Sequence, residues 1–196
     1  MAARAAFTAL LSIGLVLLAA APGRGDEPPP QRVDLALAGW PIGELALVDQ
    51  IGRPVTNQTL QGQWTFVLLA SGGCSETCAA ALAALAGLYR RIAQAAVLRT
   101  TQVIVVSLDP RHTPADLYGR LVAYDPRFVA AGGPPAAVAA LTRDLGVPDV
   151  PATPPAEGDS GAMWLIDSSG VIRAQLLPPY DVPLLTATYL RTRARR

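Results

Sequence analysis

The chemistry-bearing residues of this 196-residue chain are its two cysteines, Cys74 and Cys78, separated by Ser75-Glu76-Thr77. They follow a strand-length apolar run, Trp64-Thr-Phe-Val-Leu-Leu-Ala70, and a Ser71-Gly-Gly turn. A long Ala/Leu segment that reads as helix comes next. Both cysteines are therefore expected where a buried strand hands over to the first turn of a helix, at i, i+4 spacing on one face. Unpaired N–H groups and the positive end of the helix dipole lower a thiol's pKa there. Two chemistries fit: a dithiol–disulfide redox pair, or soft-metal ligation by two thiolates. Two buried structural cysteines are the bland alternative. Cα atoms one helical turn apart stand about 6 Å from each other, so a disulfide closes only if the first turn adjusts. Such a bond is expected to be more reducible than a structural one, with Cys74 attacking and Cys78 resolving.

Other candidates are weaker. His112, the one histidine, sits just past the C-terminal end of an apolar run, Thr101 to Asp109, on the side of a sheet where ligands usually bind. Its Pro110-Arg-His-Thr-Pro setting also reads as a helix entry, so His112 is expected to be dispensable. Glu76 reads as a solvated first-turn acid favoured by the dipole. Trp64 and Trp164 read as core. There is no internal repeat, no phosphate-binding Gly loop and no Gly-x-Ser-x-Gly elbow.

The elements that must position the pair follow from periodicity. Short apolar runs at 33–37 and 45–50 read as strands, with a turn at Gln50-Ile-Gly-Arg-Pro54. The helix after the cysteines is expected over about 77–97, with Leu82, Leu85, Leu88, Tyr89 and Ile92 inward. The β-branched run 101–109 reads as a central parallel strand covered on both faces. Thr113 as N-cap and Pro114 at N1 open a further helix. A short strand at 127–131 and a helix at 134–145 ending before Gly146 follow. Residues 147–158 form a Pro-rich loop. A hairpin turning at Gly170 and a helix over 182–195 close the chain. Strands alternating with helices predict an α/β fold, a thioredoxin-like mixed sheet flanked by helices.

Composition adds limits. The formal net charge of +1 gives no electrostatic case for nucleic acid. All 16 cationic residues are Arg. Arg4 precedes an apolar run from Ala5 to Ala21, so 1–24 reads as a signal peptide or N-terminal membrane anchor, 25–32 as a Pro-rich tether and 33–196 as the domain. Export is the expectation, to an oxidising compartment such as the bacterial periplasm, with the inner membrane as anchor where the leader stays uncleaved.

Several motifs in order carry a resemblance. Asp49 with Gly52-Arg-Pro-Val, Leu60-x-Gly62-x-Trp64, Cys74-x-x-x-Cys78, Ser107-Leu-Asp-Pro-Arg-His-Thr-Pro, and Asp159-Ser-Gly-Ala-Met-Trp-Leu-Ile-Asp-Ser-Ser-Gly170 are spread over about 47–172. In this pattern the chain resembles the Sco/SenC family of thioredoxin-fold, membrane-tethered factors that assemble the copper centre of cytochrome c oxidase. The resemblance implies that Cys74 and Cys78 are copper ligands as well as redox residues. It also implies that the family's third ligand, a histidine, is replaced here by Asp159. His112 stands where the family usually has Asp, and Ala79 where it usually has Pro. Two thiolates suffice for Cu(I), whereas Cu(II) prefers imidazole, so the replacement should weaken Cu(II) more. Asp159 beside two thiols would raise their pKa values, against the dipole.

The implied function is assistance to oxidase copper-site assembly by thiol–disulfide exchange, Cu(I) handling, or both. The partner would be the oxidase's copper-site subunit or another exported thiol or copper protein. A general periplasmic thiol–disulfide oxidoreductase and a non-catalytic interaction protein with a structural disulfide are the alternatives.

Overall fold

The computed structural model describes residues 31–36, 38–71, 74–147 and 161–195. The expected leader, nearly all of the tether, the Gly72-Gly73 turn, most of the Pro-rich loop and Asp159 lie outside the described residues. In chain order the strands are β1 (Arg32–Asp34), β2 (Leu47–Asp49), β3 (Pro54–Val55), β4 (Trp64–Ala70), β5 (Thr101–Ser107), β6 (Val129–Gly132), β7 (Met163–Ile166) and β8 (Ile172–Leu177). The helices are α1 (Asn57–Leu60), α2 (Glu76–Ile92), α3 (Pro114–Leu121), α4 (Pro135–Asp144) and α5 (Val182–Ala194).

The strands form one mixed sheet in the order β1-β8-β7-β4-β5-β6-β2-β3. β4, β5 and β6 run parallel, with Trp64 opposite Thr101 and Ala70 opposite Ser107. β7 joins β4 antiparallel and forms a hairpin with β8. Every residue of β4 is buried. Trp64, Phe66 and Leu68 point with Val103 and Val105 into a core completed by α2, α3 and α5. Val67 and Leu69 point with Ile104 and Val106 into a second core completed by α4 and Leu60 of α1. Two covered faces explain why the central strands read as unbroken apolar runs rather than alternating ones. This is the expected α/β, thioredoxin-like sheet flanked by helices.

Several boundaries moved: β1 is Arg32–Asp34 rather than 33–37, β2 keeps only Leu47–Asp49 of 45–50, and β5 stops at Ser107. Two further shifts have a local cause. α2 ends at Ile92 rather than near Val97, and Ala96–Thr100 form a 3₁₀ turn. The Thr100 and Thr101 hydroxyls donate to the Val97 carbonyl at 3.2 and 2.6 Å, tying the chain into the bend that feeds β5. Likewise β6 begins at Val129 rather than Arg127, because the Arg127 N–H donates to Asp125 Oδ1 in a turn and is lost to the ladder.

Candidate thiol site at the β4–α2 junction

Ser75 is the N-cap of α2; its hydroxyl accepts from the Cys78 N–H at 3.2 Å. That fixes Cys78 in the first turn, fully buried, while Cys74 stands one residue outside the helix and is only partly buried. The two sulfurs are joined as a disulfide, with the Cα atoms 5.3 Å apart. The expected distortion of the first turn is not what closes the bond. Cys74 instead takes a left-handed backbone, φ +51°, and its N–H donates to the Ser71 carbonyl at 3.0 Å. The helix stays regular and the adjustment falls on the residue before it. The sequence reading placed both cysteines at the strand-to-helix handover, and the structure puts them there.

Two loops flank this junction. Leu108 N–H donates to the Ala70 carbonyl at 2.8 Å, laying the chain that leaves β5 beside the end of β4. On the other side, Gly161 abuts Thr77, inside the cysteine motif: a Cβ on Gly161 would lie 2.5 Å from Thr77 Cγ2 and 2.8 Å from its carbonyl oxygen. Gly161 also has φ +63°, a region that other residues avoid. Its carbonyl accepts from the Tyr180 hydroxyl at 2.5 Å, and that hydroxyl also lies 2.9 Å from the Leu176 carbonyl. Burial pushes the Tyr180 pKa well up, so it remains a protonated donor. Sequence reasoning missed this latch. Tyr180 follows a Pro-Pro pair in a loop, and no local signal marks its reach back to Gly161.

His112 follows β5. Its Nδ1 lies 3.1 Å from Asp109 Oδ2. The Arg111 guanidinium and backbone N–H hold the Asp109 carboxyl well below the usual carboxylate range. An ionised carboxylate only accepts, so Nδ1 carries the proton and donates it. His112 lines a cleft of about 320 Å³ with Asp109, Pro114, Gly132, Gly133 and Val138, a cavity the sequence did not reveal. Among the described residues no three His, Cys, Asp or Glu side chains come together as a metal-holding group. Glu76 is exposed in the first turn of α2, and Trp64 and Trp164 are core, each 1% exposed. Asp159 lies outside the described residues.

Comparison with known proteins adds to this geometry. The SCO1/SenC family model matches residues 41–181, most of the chain and all of the thiol site. The chain belongs to the SCO1/SenC family. A Stutzerimonas stutzeri protein with the name "Putative copper-binding protein" is 31% identical over 144 residues, covering 70% of each chain. Among solved structures, copper-bound ScoI of Arabidopsis thaliana superimposes with a TM-score of 0.69 at 20% identity, over 82% of this chain and all of that one. Copper-bound ScoI of Bradyrhizobium japonicum gives 0.58 at 25% identity, over 76% and 96%. The fold is that of the Sco proteins, and the Sco/SenC cysteine motif occupies the junction described above.

Proposed function

We propose that this Sco/SenC protein is an exported factor, held at the inner membrane where its leader is retained, that assists copper-site assembly of cytochrome c oxidase through Cys74 and Cys78. Its partner is the oxidase's copper-site subunit or another exported thiol or copper protein. The observation that carries the reading is the asymmetry of the pair: one sulfur partly open outside the positive end of α2, the other fully buried in its first turn.

In the dithiol form the Cys74 thiolate attacks a partner disulfide, forming a mixed disulfide and releasing one partner thiolate. Cys78 then loses its proton and attacks the Cys74 sulfur. The Cys74–Cys78 bond closes and the second partner thiolate leaves, so the partner gains the two electrons the pair gives up. Cu(I) as cargo fits the same sulfurs, because it is soft and two thiolates hold it. A closed disulfide offers no thiolate, so carrying Cu(I) and holding the S–S bond are alternative states of one site. The Asp159 position of the family's histidine favours Cu(I) over Cu(II).

A glutathione redox titration and an anaerobic copper titration of the protein test this. A potential above about −300 mV and one Cu(I) per reduced protein are expected. A potential well below that value would leave the structural-disulfide, interaction-protein reading ahead. Exchange with unrelated disulfide substrates as fast as with an oxidase copper-site peptide would favour the general oxidoreductase.

A further inference from the structure

We propose that the face built from the turn after β1, the start of β8 and the last turn of α5 rests on the surface of an anionic phospholipid bilayer. Leu35 and Trp40 are 61% and 65% exposed, whereas the other two tryptophans are buried at 1%. The backbone that carries Trp40 is pinned. Gly39 N–H donates to the Ile172 carbonyl at 2.8 Å, Ile172 N–H to the Trp40 carbonyl at 2.9 Å, and Pro41 bridges to Val171. The sheet therefore holds a large aromatic out in water, with Leu35 exposed beside β1, at a cost in solvation that a partner surface would recover. Tryptophan's apolar ring and polar N–H suit the level of lipid headgroups.

Beside these residues lies a cleft of about 220 Å³ lined by Leu35, Ala38, Trp64, Arg173, Thr192 and Arg195. Arg193 lies over the Trp64 ring at 5.7 Å and bonds to Thr100. Among the described residues neither Arg193 nor Arg195 pairs with a carboxylate, while Arg173 is paired with Asp167. Arg193 is half-buried, and it also donates to the Tyr189 hydroxyl; Arg191 and Arg195, one turn apart, are the exposed cations at the end of α5. The negative end of a helix dipole amounts to about half a charge and needs no such number. Asp34 is the exposed acid on β1, and it accepts from the Ala36 N–H. The cations outnumber it, so an anionic surface is the complement.

The chain itself says where that surface lies. Ten residues, 22–31, separate the apolar run ending at Ala21 from Arg32 at the start of β1. Fully extended they reach about 35 Å. A bilayer holding that run is thus within reach of the face beside which β1 begins. The proposal rests on the retained leader of the function proposed above and not on its thiol chemistry, and its test leaves the cysteines untouched.

Trp40, as the one exposed tryptophan, is the reporter. The full chain is reconstituted into vesicles of brominated phosphatidylcholine, alone or mixed with brominated phosphatidylglycerol, and the Trp40→Phe protein gives the background to subtract. Trp40 fluorescence should be quenched in the phosphatidylglycerol vesicles, and high salt should relieve it. Arg191→Gln and Arg195→Gln, both at exposed positions, should each shift the docked-to-free ratio about fivefold towards free. The salt response of the unaltered protein decides the matter should a variant misfold. Trp40 unquenched in both vesicle types, or quenched regardless of lipid charge and salt, overturns the proposal. A blue shift that grows with protein concentration in the absence of lipid also overturns it, in favour of a second copy covering the face.

Discussion

Cys74 shows how much of the site's character is set by one backbone angle. At φ +51° a non-glycine residue gives up roughly 1–2 kcal/mol relative to ordinary conformations. Here the bond to Cys78 and the Ser71 hydrogen bond hold it there. Opening the S–S bond removes one of these restraints, so the dithiol gains what the backbone recovers. Burial sets the division of labour. In Cys78→Ser the remaining thiol is the partly open Cys74, which should collect mixed disulfides with a thiol substrate. In Cys74→Ser the remaining thiol is fully buried and should alkylate on the order of tenfold more slowly; equal alkylation rates would contradict the assignment. His112 is a different case. Its Nδ1 is tied to Asp109, and it stands outside any three-residue metal group among the described residues. His112→Ala should therefore change Cu(I) affinity by less than tenfold, about 1.4 kcal/mol, in a competition titration with a Cu(I) chelator. Asp159→His, by contrast, should strengthen Cu(II) binding, read as a new sulfur-to-copper charge-transfer band.

Elements explain why the motifs recur. The Asp-x-x-Gly segments at 49–52 and 167–170 fold alike: the aspartate side chain accepts from the N–H groups two and four residues on, and its carbonyl accepts from the glycine N–H at 3.0 Å. Both glycines have φ near +80°. Asp-Pro-Arg occurs twice, at 109–111 and 125–127, and in both copies the arginine's guanidinium and N–H bind the aspartate. Much of what makes the family legible in this sequence is thus turn chemistry that ends strands. Asp167→Asn keeps an oxygen for the turn but loses the charge that faces Arg173. It should cost about 1–2 kcal/mol in a urea titration. Local signals of this kind made the Cys-bearing junction, the Thr113 cap with its Pro114, and the Gly170 hairpin readable in advance. Contacts between distant segments were not readable. Gly161 meets Thr77 and Tyr180 meets Gly161 only because β7 lies beside β4, and no residue near either announces it. Gly161→Ala, strained in φ and in contact with Thr77, should destabilise the protein. It should also shift the pair's potential. Tyr180→Phe should cost only about 1 kcal/mol.

At the scale of the whole molecule, the sheet is clamped between two apolar cores, and the thiol pair stands where its longest fully buried strand leaves that clamp. Rigid support suits the proposed exchange, in which the two sulfurs would return to bonding distance in each cycle. The rim of this sheet is held by carboxylates that must stay ionised. Asp109 and Asp125 are kept below the ordinary value of 3.8 chiefly by hydrogen bonds from Arg111 and Arg127. In Asp167 burial pushes the pKa up, but the Val171 and Ser169 N–H groups and Arg173 together outweigh it, and the net shift is downward. A carboxyl whose folded pKa is depressed binds fewer protons folded than unfolded. Its contribution is complete above the unfolded value and lost as pH falls through the folded one. All three groups act in the same direction. Urea midpoints of the oxidised protein should therefore be nearly constant from pH 7 to about 5 and fall progressively below about pH 4. Asp167→Asn, already lacking one of the three ionised groups, should start lower at neutral pH and show a shallower acid decline. A midpoint that rose on acidification, or an acid slope unchanged in Asp167→Asn, would mean that these turns do not carry the charge-dependent stability assigned to them.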